Sequence, residues 1–164
     1  MNIPVNRIEV GKKPGFSDPA GEKTRQTLLD AGVKDVREVK IIQVWLIYGG
    51  MLFWRDLEML ATELFADPVI EEFRINRSLA RQSKNQKIVG VAYKPGVTYS
   101  SEETAKEAIR DLGVQWILGI KNGQKYVIRG LINDTELKTI HKELINPVIQ
   151  YMVEDWDKET VILT

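Results

Sequence analysis

The sequence predicts an α+β fold made by tandem duplication: two copies of a two-layer β-α-β(β)-α-β module with antiparallel sheets, packed as a pseudo-dimer. Three observations predict it. Short segments recur in the same order along the chain. Within each copy, strand-like alternation of apolar residues gives way to helical spacing. The length of 164 residues suits one domain or two small ones.

Five pairs of segments carry the repeat. Lys13-Pro14-Gly15 recurs at residues 94–96, a separation of 81 residues. The other four pairs are 30–33 with 111–114, 46–49 with 127–130, 63–64 with 143–144 and 67–70 with 146–149, so the separation falls from 81 to 79. This drift is typical of short loop deletions. We therefore expect repeats at 1–76 and 87–164, joined by a polar linker at 77–86.

The first strand and helix follow from local signals. Residues 7–12 alternate apolar and polar side chains, with Ile8 and Val10 on one face of a strand. Asp18 fits an N-cap and Pro19 the first helical position. Helical spacing continues to about Ala31, and Gly32 is expected to end the helix.

The second half of each copy predicts an extended stretch, a helix and a last strand. In copy one, residues 36–48 are rich in Val and Ile, and the equivalent stretch of copy two contains Asn122-Gly123, a strong hairpin sequence. Copy one has Ile41-Ile42 there, so we expect either one long bent strand or a turn without its usual residues. The following helix of copy one places Leu57, Leu60, Ala61 and Leu64 inward and ends at Asp67-Pro68. Residues 69–75 form the last strand. The helices of one module cover one sheet face, and we expect the second copy to cover the other.

Composition excludes several classes of function. The chain has 23 basic and 23 acidic residues, so bulk charge does not favour nucleic acid or a membrane surface as partner. It has no cysteine, which rules out thiolate chemistry and Cys-ligated metal. No signal peptide or membrane-spanning stretch is recognisable, so a cytoplasmic location is expected.

The repeated segments resemble a known family. Lys-Pro-Gly-Phe-Ser-Asp-Pro-Ala-Gly (13–21), Asp-Val-Arg-Glu-Val (35–39), Ala-Asp-Pro-Val-Ile-Glu-Glu-Phe (66–73) and Lys-Pro-Gly-Val-Thr (94–98) resemble the small PurS subunit of phosphoribosylformylglycinamidine synthase. Two copies in tandem are similar to the N-terminal region of the longer synthases, where a pseudo-dimer replaces a dimer of small subunits.

That resemblance implies a part in purine biosynthesis without catalysis by this chain alone. The family makes formylglycinamidine ribonucleotide from the formylglycinamide, ATP and glutamine. The module would dock the glutaminase component to the synthetase component, and self-association is left open. The alternative is a diverged or engineered ligand- or partner-binding protein on the same scaffold.

No catalytic, cofactor or metal site is predicted. His141 is the only histidine and is expected to be a packed or surface residue. The pair Glu102-Glu103 fits helix capping better than acid–base catalysis. Lys13 and Lys94 could meet an anion at the following helix N-terminus, but a solvated lysine is the expectation.

Aromatic residues at turns are the more informative feature, because each copy serves as a control for the other. Phe53 and Trp54 stand where copy two has Asn133 and Asp134. Tyr99 stands at the position of Asp18, and Tyr48 at that of Arg129. Losing an N-cap costs roughly 0.5–2 kcal/mol, so aromatic side chains there predict a gain in packing or binding.

We therefore predict a binding or interface surface that includes Tyr48, Met51, Phe53, Trp54 and Tyr99, with at least two of these tyrosine, phenylalanine and tryptophan side chains in a pocket or chain–chain contact. Ordinary divergence, with the rings packed between the copies, and deliberate redesign are the alternatives. Trp116 is a further candidate for this surface, but it falls in a predicted strand, so a core position is the expectation.

Overall fold

A computed structural model of the chain describes residues 4–50, 52–97 and 100–159. Its elements are, in order, β1 (Val5–Lys12), α1 (Pro19–Asp30), β2 (Glu38–Gly49), α2 (Trp54–Leu60), a π-helical turn (Ala61–Phe65), β3 (Glu71–Ile75), β4 (Gln86–Tyr93), α3 (Ser100–Asp111), β5 (Ile117–Arg129), α4 (Asp134–Leu144), β6 (Gln150–Val153) and a 3-10 turn (Trp156–Lys158). The mixed α and β content agrees with the predicted class.

All six strands form one antiparallel sheet, with the order β3-β1-β2-β5-β4-β6. The two central strands pair from Glu38 opposite Arg129 to Gly49 opposite Ile117, with an irregularity beside Tyr48. The order is the same from either edge when β1, β2 and β3 are matched with β4, β5 and β6. The two halves of the chain are therefore joined edge to edge.

The four helices lie on one face of this sheet. Val39 of β2 is buried with Leu28 of α1 and Ile140 of α4. Ile47 of the same strand is buried with Leu57 of α2 and, from the other half, Ile109 of α3. Side chains two, four or eight residues apart in a strand share a face, so both cores lie on the same side. The expectation that each copy covers the free face of the other's sheet was wrong.

The second face is covered by connecting segments instead. Its apolar cluster contains Val44, Leu46 and Val127 from the central strands, with Trp156 from the 3-10 turn and Leu79 from the segment between β3 and β4 packed over them. That segment therefore contributes to the core of the molecule besides connecting the halves.

A buried charge network fastens these segments to the second face. Glu9 is fully buried, and its carboxylate accepts hydrogen bonds from Lys125 Nζ at 2.6 Å and from the backbone N–H of Leu79 at 3.1 Å. Arg7 Nε lies 3.0 Å from the Glu9 carboxylate, but its N–H does not point at that carboxylate. Another nitrogen of the same guanidinium, Nη1, donates a hydrogen bond to Asp157 at 2.5 Å. Because a buried charge is costly when unpaired, Glu9 ties both halves to the linker.

The signals predicted for α1 are confirmed. The Asp18 carboxylate accepts from the backbone N–H of Gly21 at 2.9 Å, and Pro19 is the first helical residue. Leu28 is fully buried under the helix. Gly32 follows the last turn with φ of +100°, a conformation that L-residues with a side chain rarely adopt.

The expected hairpin at Asn122-Gly123 was wrong, because both residues lie inside the continuous strand β5. Asn122 is buried and donates to the carbonyl of Val44 at 3.2 Å. Gly123 lies under Trp156, and a Cβ there would overlap the indole ring. The pair thus serves tertiary packing, and β2 likewise is one strand.

The drift of the repeat is also only partly a loop effect. The N–H of Ala66 bonds to the carbonyl of Ala61, five residues back, whereas the equivalent N–H of Ile145 bonds to His141, four residues back. A π turn holds one more residue than the matching α turn. One of the two extra residues of the first half therefore lies inside a helix, and the other precedes Phe53.

The two Lys-Pro-Gly turns are built alike. Lys13 donates through its backbone N–H to Ile70 and through Nζ to the Pro68 carbonyl at 2.6 Å. Lys94 donates in the same way to Ile149 and, at 2.5 Å, to Pro147. The expectation that these lysines are simply solvated was wrong, because each one ties its turn to the start of the last strand of its half. No helix in the described part of the chain is long and apolar enough to cross a membrane.

Candidate interface at one end of the central strand pair

The antiparallel pair β2–β5 joins the two halves, and we call it the seam. At one end, which we call the polar end, β2 begins and β5 gives way to α4. At the other, the aromatic end, β5 begins and β2 gives way to α2. The repeat offset makes these two ends equivalent, so their side chains can be compared position by position.

A glycine marks the close approach of the halves at each end. A Cβ at Gly130 would overlap the backbone carbonyl of Asp35, and a Cβ at Gly49 would overlap that of Trp116. Asp35 and Trp116 are themselves 81 residues apart, as are the two glycines. The same backbone contact therefore holds both ends, although its side chains differ.

The polar end is closed by hydrogen bonds between the halves. The Asp35 carboxylate accepts from the N–H of Leu131 at 2.8 Å, and Glu136 accepts from the N–H of Lys34 at 2.9 Å. Asn133 caps α4 by accepting from the N–H of Glu136 at 2.8 Å. The Leu131 hydrogen bond, with help from Arg37, lowers the pKa of Asp35 below its ordinary value.

The aromatic end carries large apolar side chains in the same places. Phe53, Trp54 and Trp116 are 58%, 57% and 66% exposed, and Leu118 is 46% exposed. They stand at the positions of Asn133, Asp134, Asp35 and Arg37, respectively. Four equivalent positions that are polar at one end are thus apolar and exposed at the other.

The first turn of α2 is correspondingly under-capped. Asp56 accepts from the N–H of Phe53 at 3.0 Å, which supplies one half of a capping box. The Phe53 ring can accept no backbone N–H in return, and Arg55 lies over it at 5.9 Å from the ring centre. The helix therefore begins with less hydrogen bonding than α4 and more apolar surface.

The structure separates the residues that the sequence grouped together. Phe53 and Trp54 are exposed at the aromatic end. Tyr48 is half-buried on the second face, packed against the cluster of Val44 and Leu46. Met51 and Tyr99 lie outside the described residues. The interface surface thus stays a prediction, and Phe53 and Trp54 are the members that the structure leaves accessible.

Trp116 corrects the sequence analysis, which expected it in the core. It lies just before β5 and is the most exposed of the aromatic side chains described at this end. Leu118 was missed altogether. Both could have been found by applying the repeat offset, which aligns them with Asp35 and Arg37, two residues that favour the surface.

Glu102 has a role that the sequence did not predict. Its carboxylate accepts from the backbone N–H of Asn122 at 2.8 Å, whereas in the first half Asp18 accepts from Ile41 at 2.9 Å. Ile41 and Asn122 are equivalent. Burial raises the pKa of Glu102 despite this hydrogen bond. His141 is half-buried on α4, and the described residues contain no cluster of three metal-binding side chains.

Comparison with known proteins bears on the first half of the chain. Residues 5–78 match the family model described as PurS: Phosphoribosylformylglycinamidine (FGAM) synthase. The first half of the chain is a PurS-like module. No curated protein matches the chain. The matched range includes β1 to β3, with Phe53, Trp54 and Gly49 of the aromatic end, and runs to Ser78, where the segment covering the second face begins.

Proposed function

We propose that this chain is a structural, complex-forming module of a cytoplasmic formylglycinamidine ribonucleotide synthase in purine biosynthesis. The observation that carries the proposal is the match of residues 5–78 to the PurS family. In this role the chain holds the glutaminase and synthetase components together and contributes no catalytic group of its own.

The second half of the chain completes the module by duplication. Support comes from the repeated segments and from the symmetric strand order. The paired contacts of Gly49 and Gly130, and of Lys13 and Lys94, recur at the repeat offset. On this view residues 1–76 and 87–164 form a pseudo-dimer within one sheet, with 77–86 as the connection.

An experimental structure tests the duplication directly. Superposition of residues 5–75 on 87–154 should need only two insertions, one before Phe53 and one in the π turn at Ala61–Phe65. A different strand order in either half would contradict it.

The aromatic end is the proposed contact with another component of the synthase. Two of its exposed side chains, Trp54 and Trp116, are tryptophans, one of the residue types that dominate binding energy at protein interfaces. Burying apolar surface contributes about 25 cal/mol per Å², so covering three large rings offsets the weaker cap of α2. The polar end, whose backbone groups are already satisfied by Asp35 and Asn133, exposes Leu131 but carries no aromatic ring at the equivalent positions.

Reconstitution tests the proposed function. Glutamine-dependent formation of formylglycinamidine ribonucleotide by purified glutaminase and synthetase components should require this chain, and the chain alone should form no product. Product formed by the chain alone, or full activity of the two components without it, would refute the proposal. Tight binding of an unrelated protein through the aromatic end, with no effect on the synthase, would favour the diverged binding protein instead.

A further inference from the structure

A cleft on the second face lies beside the polar end of the seam, where Glu38 pairs with Arg129, and away from the aromatic end. Its volume is about 530 Å³, which falls within the usual range of small-molecule sites. Ile42 and Val127 of the central strands lie at its floor, and Leu79 and Arg81 of the covering segment form one wall. The cleft therefore combines an apolar floor with a wall that the linker supplies.

The charged side chains of the cleft are mostly cationic. Lys12, Lys40, Arg81 and Arg129 line it, against two carboxylates, Glu38 and Glu72. Lys12 is paired at 3.4 Å with Glu71, outside the lining. Lys40, Arg81 and Arg129 form no ion pair with either lining carboxylate. Within residues 4–50, 52–97 and 100–159, they form none with any other carboxylate either.

The equivalent place in the second half shows how this chain satisfies such a lysine. Lys121, at the offset position of Lys40, contacts the hydroxyl of Tyr151 and lies 3.5 Å from the carboxylate of Glu159. Tyr151 donates to that carboxylate at 2.7 Å. Burial and the neighbouring Glu159 raise the pKa of the Tyr151 phenol. An anion from the chain itself thus occupies the second-half position.

No described residue supplies the corresponding anion to Lys40. Tyr151 is replaced there by Glu72, which forms no ion pair with Lys40, and Tyr48 by Arg129, which adds a second cation. A ligand from solution would have to complete the arrangement. Two guanidinium groups and an ammonium outnumber the two lining carboxylates, Glu38 and Glu72, neither of which forms an ion pair with them. Planar guanidinium forks match phosphate oxygens.

We propose that this cleft binds a small phosphate-bearing ligand. Lys40, Arg81 and Arg129 hold the phosphate oxygens, and any apolar part of the ligand lies against Ile42 and Leu79. This site is separate from the aromatic end, so it stands or falls independently of the docking proposal.

Titration calorimetry with two probes tests the site. Adenosine monophosphate and inorganic pyrophosphate are each added to the full chain at low ionic strength, with adenosine as the probe lacking phosphate. We expect heat of binding with the phosphate probes, weakened by added salt, and none with adenosine. Tighter binding of adenosine monophosphate than of pyrophosphate would assign an ester ligand, and the reverse order free phosphate.

The variant Lys40→Gln/Arg129→Gln should bind at least about tenfold more weakly, or about 1.4 kcal/mol. The matched control, Lys106→Gln/Arg110→Gln on α3, removes two positive charges elsewhere and should bind like the wild type. If the cleft double variant fails to fold, Arg81→Gln, at an exposed position, should still weaken binding about threefold. Absence of binding to the wild type, equal loss in the control, or equal binding of adenosine would overturn the proposal.

Discussion

The two ends of the seam share a backbone contact and differ in side-chain chemistry. At the polar end, Gly130 packs against Asp35, and the backbone N–H groups of the turn find carboxylate or amide partners. At the aromatic end, Gly49 packs against Trp116 in the same way, but exposed rings occupy the equivalent positions. Both ends thus share the glycine contact, while the side chains around that contact differ.

The comparison shows that the close backbone contact between the two halves does not depend on the side-chain chemistry of the surface around it. The glycine contacts are needed to bring β2 and β5 together at both ends, so they belong to folding. The rings at the aromatic end give up a helix cap and leave apolar surface in water, so they do not serve the folding of this chain alone. That division predicts which substitutions affect stability and which affect binding.

Substitution of the glycines should have the largest effect on stability. A methyl group at Gly49 or Gly130 would overlap a main-chain carbonyl, which cannot move without shifting a strand. We expect Gly49→Ala and Gly130→Ala each to lower the free energy of unfolding by about 2–3 kcal/mol, measured by urea denaturation.

Gly50→Ala is the matched control for this prediction. A Cβ at Gly50 has no atom within 4 Å, so the change should stay within about 0.5 kcal/mol. If Gly49→Ala were equally mild, the shared backbone contact would not hold the seam at the aromatic end.

Exchange of the caps should have the next largest effect. Phe53→Asn completes the capping box that Asp56 already half provides, and should raise the free energy of unfolding by about 1 kcal/mol. Asn133→Phe removes a cap at the polar end and should lower it by a similar amount. A loss of stability in Phe53→Asn would show that the ring packs within the chain and does not serve a partner.

Asp35 should give the polar end a pH-dependent stability. Its folded pKa is lowered by the Leu131 hydrogen bond and by Arg37, so its contribution is present above the unfolded pKa and is lost as the pH falls through the folded pKa. The wild type should therefore be more stable than Asp35→Asn at neutral pH, and the difference should shrink as the pH falls below the unfolded pKa and through the lowered folded pKa. A difference that is constant with pH would show that the carboxylate charge is irrelevant to this joint.

Asp18 and Glu102, which accept from equivalent backbone N–H groups although they stand at different repeat positions, should show the smallest effect. Burial raises the folded pKa of Glu102, so ionisation of this group costs stability as the pH rises from the unfolded to the folded pKa. Glu102→Gln keeps an acceptor for Asn122 without the charge and should be slightly more stable than the wild type above that window, and no more stable below it. Glu103→Gln, at an exposed neighbouring position, should leave the stability unchanged. Both variants are compared with the wild type by thermal unfolding at several pH values.

Local sequence signals predicted the elements that depend on local physics. Asp18, Pro19 and Gly32 bound α1 as expected, because capping and proline constraints act within a few residues. The hairpin prediction at Asn122-Gly123 was wrong because the glycine is needed to make room for the ring of Trp156, a residue distant in sequence. The Glu9–Lys125 ion pair joins residues 116 apart, and no periodicity within a strand indicates it.

The candidate site was predictable only where the repeat was applied to every position. Phe53 and Trp54 were found because their partners Asn133 and Asp134 have an evident capping role. Trp116 was misassigned because a tryptophan in a strand pattern usually indicates a core position. Its equivalence to Asp35, a residue that favours the surface, indicates the opposite. The π turn was invisible because a single extra residue in a helix has no distinctive composition.

The most direct test of the docking account is calorimetric binding of this chain to the purified synthetase and glutaminase components of formylglycinamidine ribonucleotide synthase. The variant Phe53→Asn/Trp54→Asp gives the aromatic end the chemistry of the polar end, and Asn133→Ala/Asp134→Ala alters the equivalent polar positions. We predict that the aromatic-end variant stays folded and binds at least about 30-fold more weakly, a loss of about 2 kcal/mol, while the polar-end variant changes affinity less than about threefold. Unchanged binding by the aromatic-end variant, or an equal loss in both variants, would contradict the account.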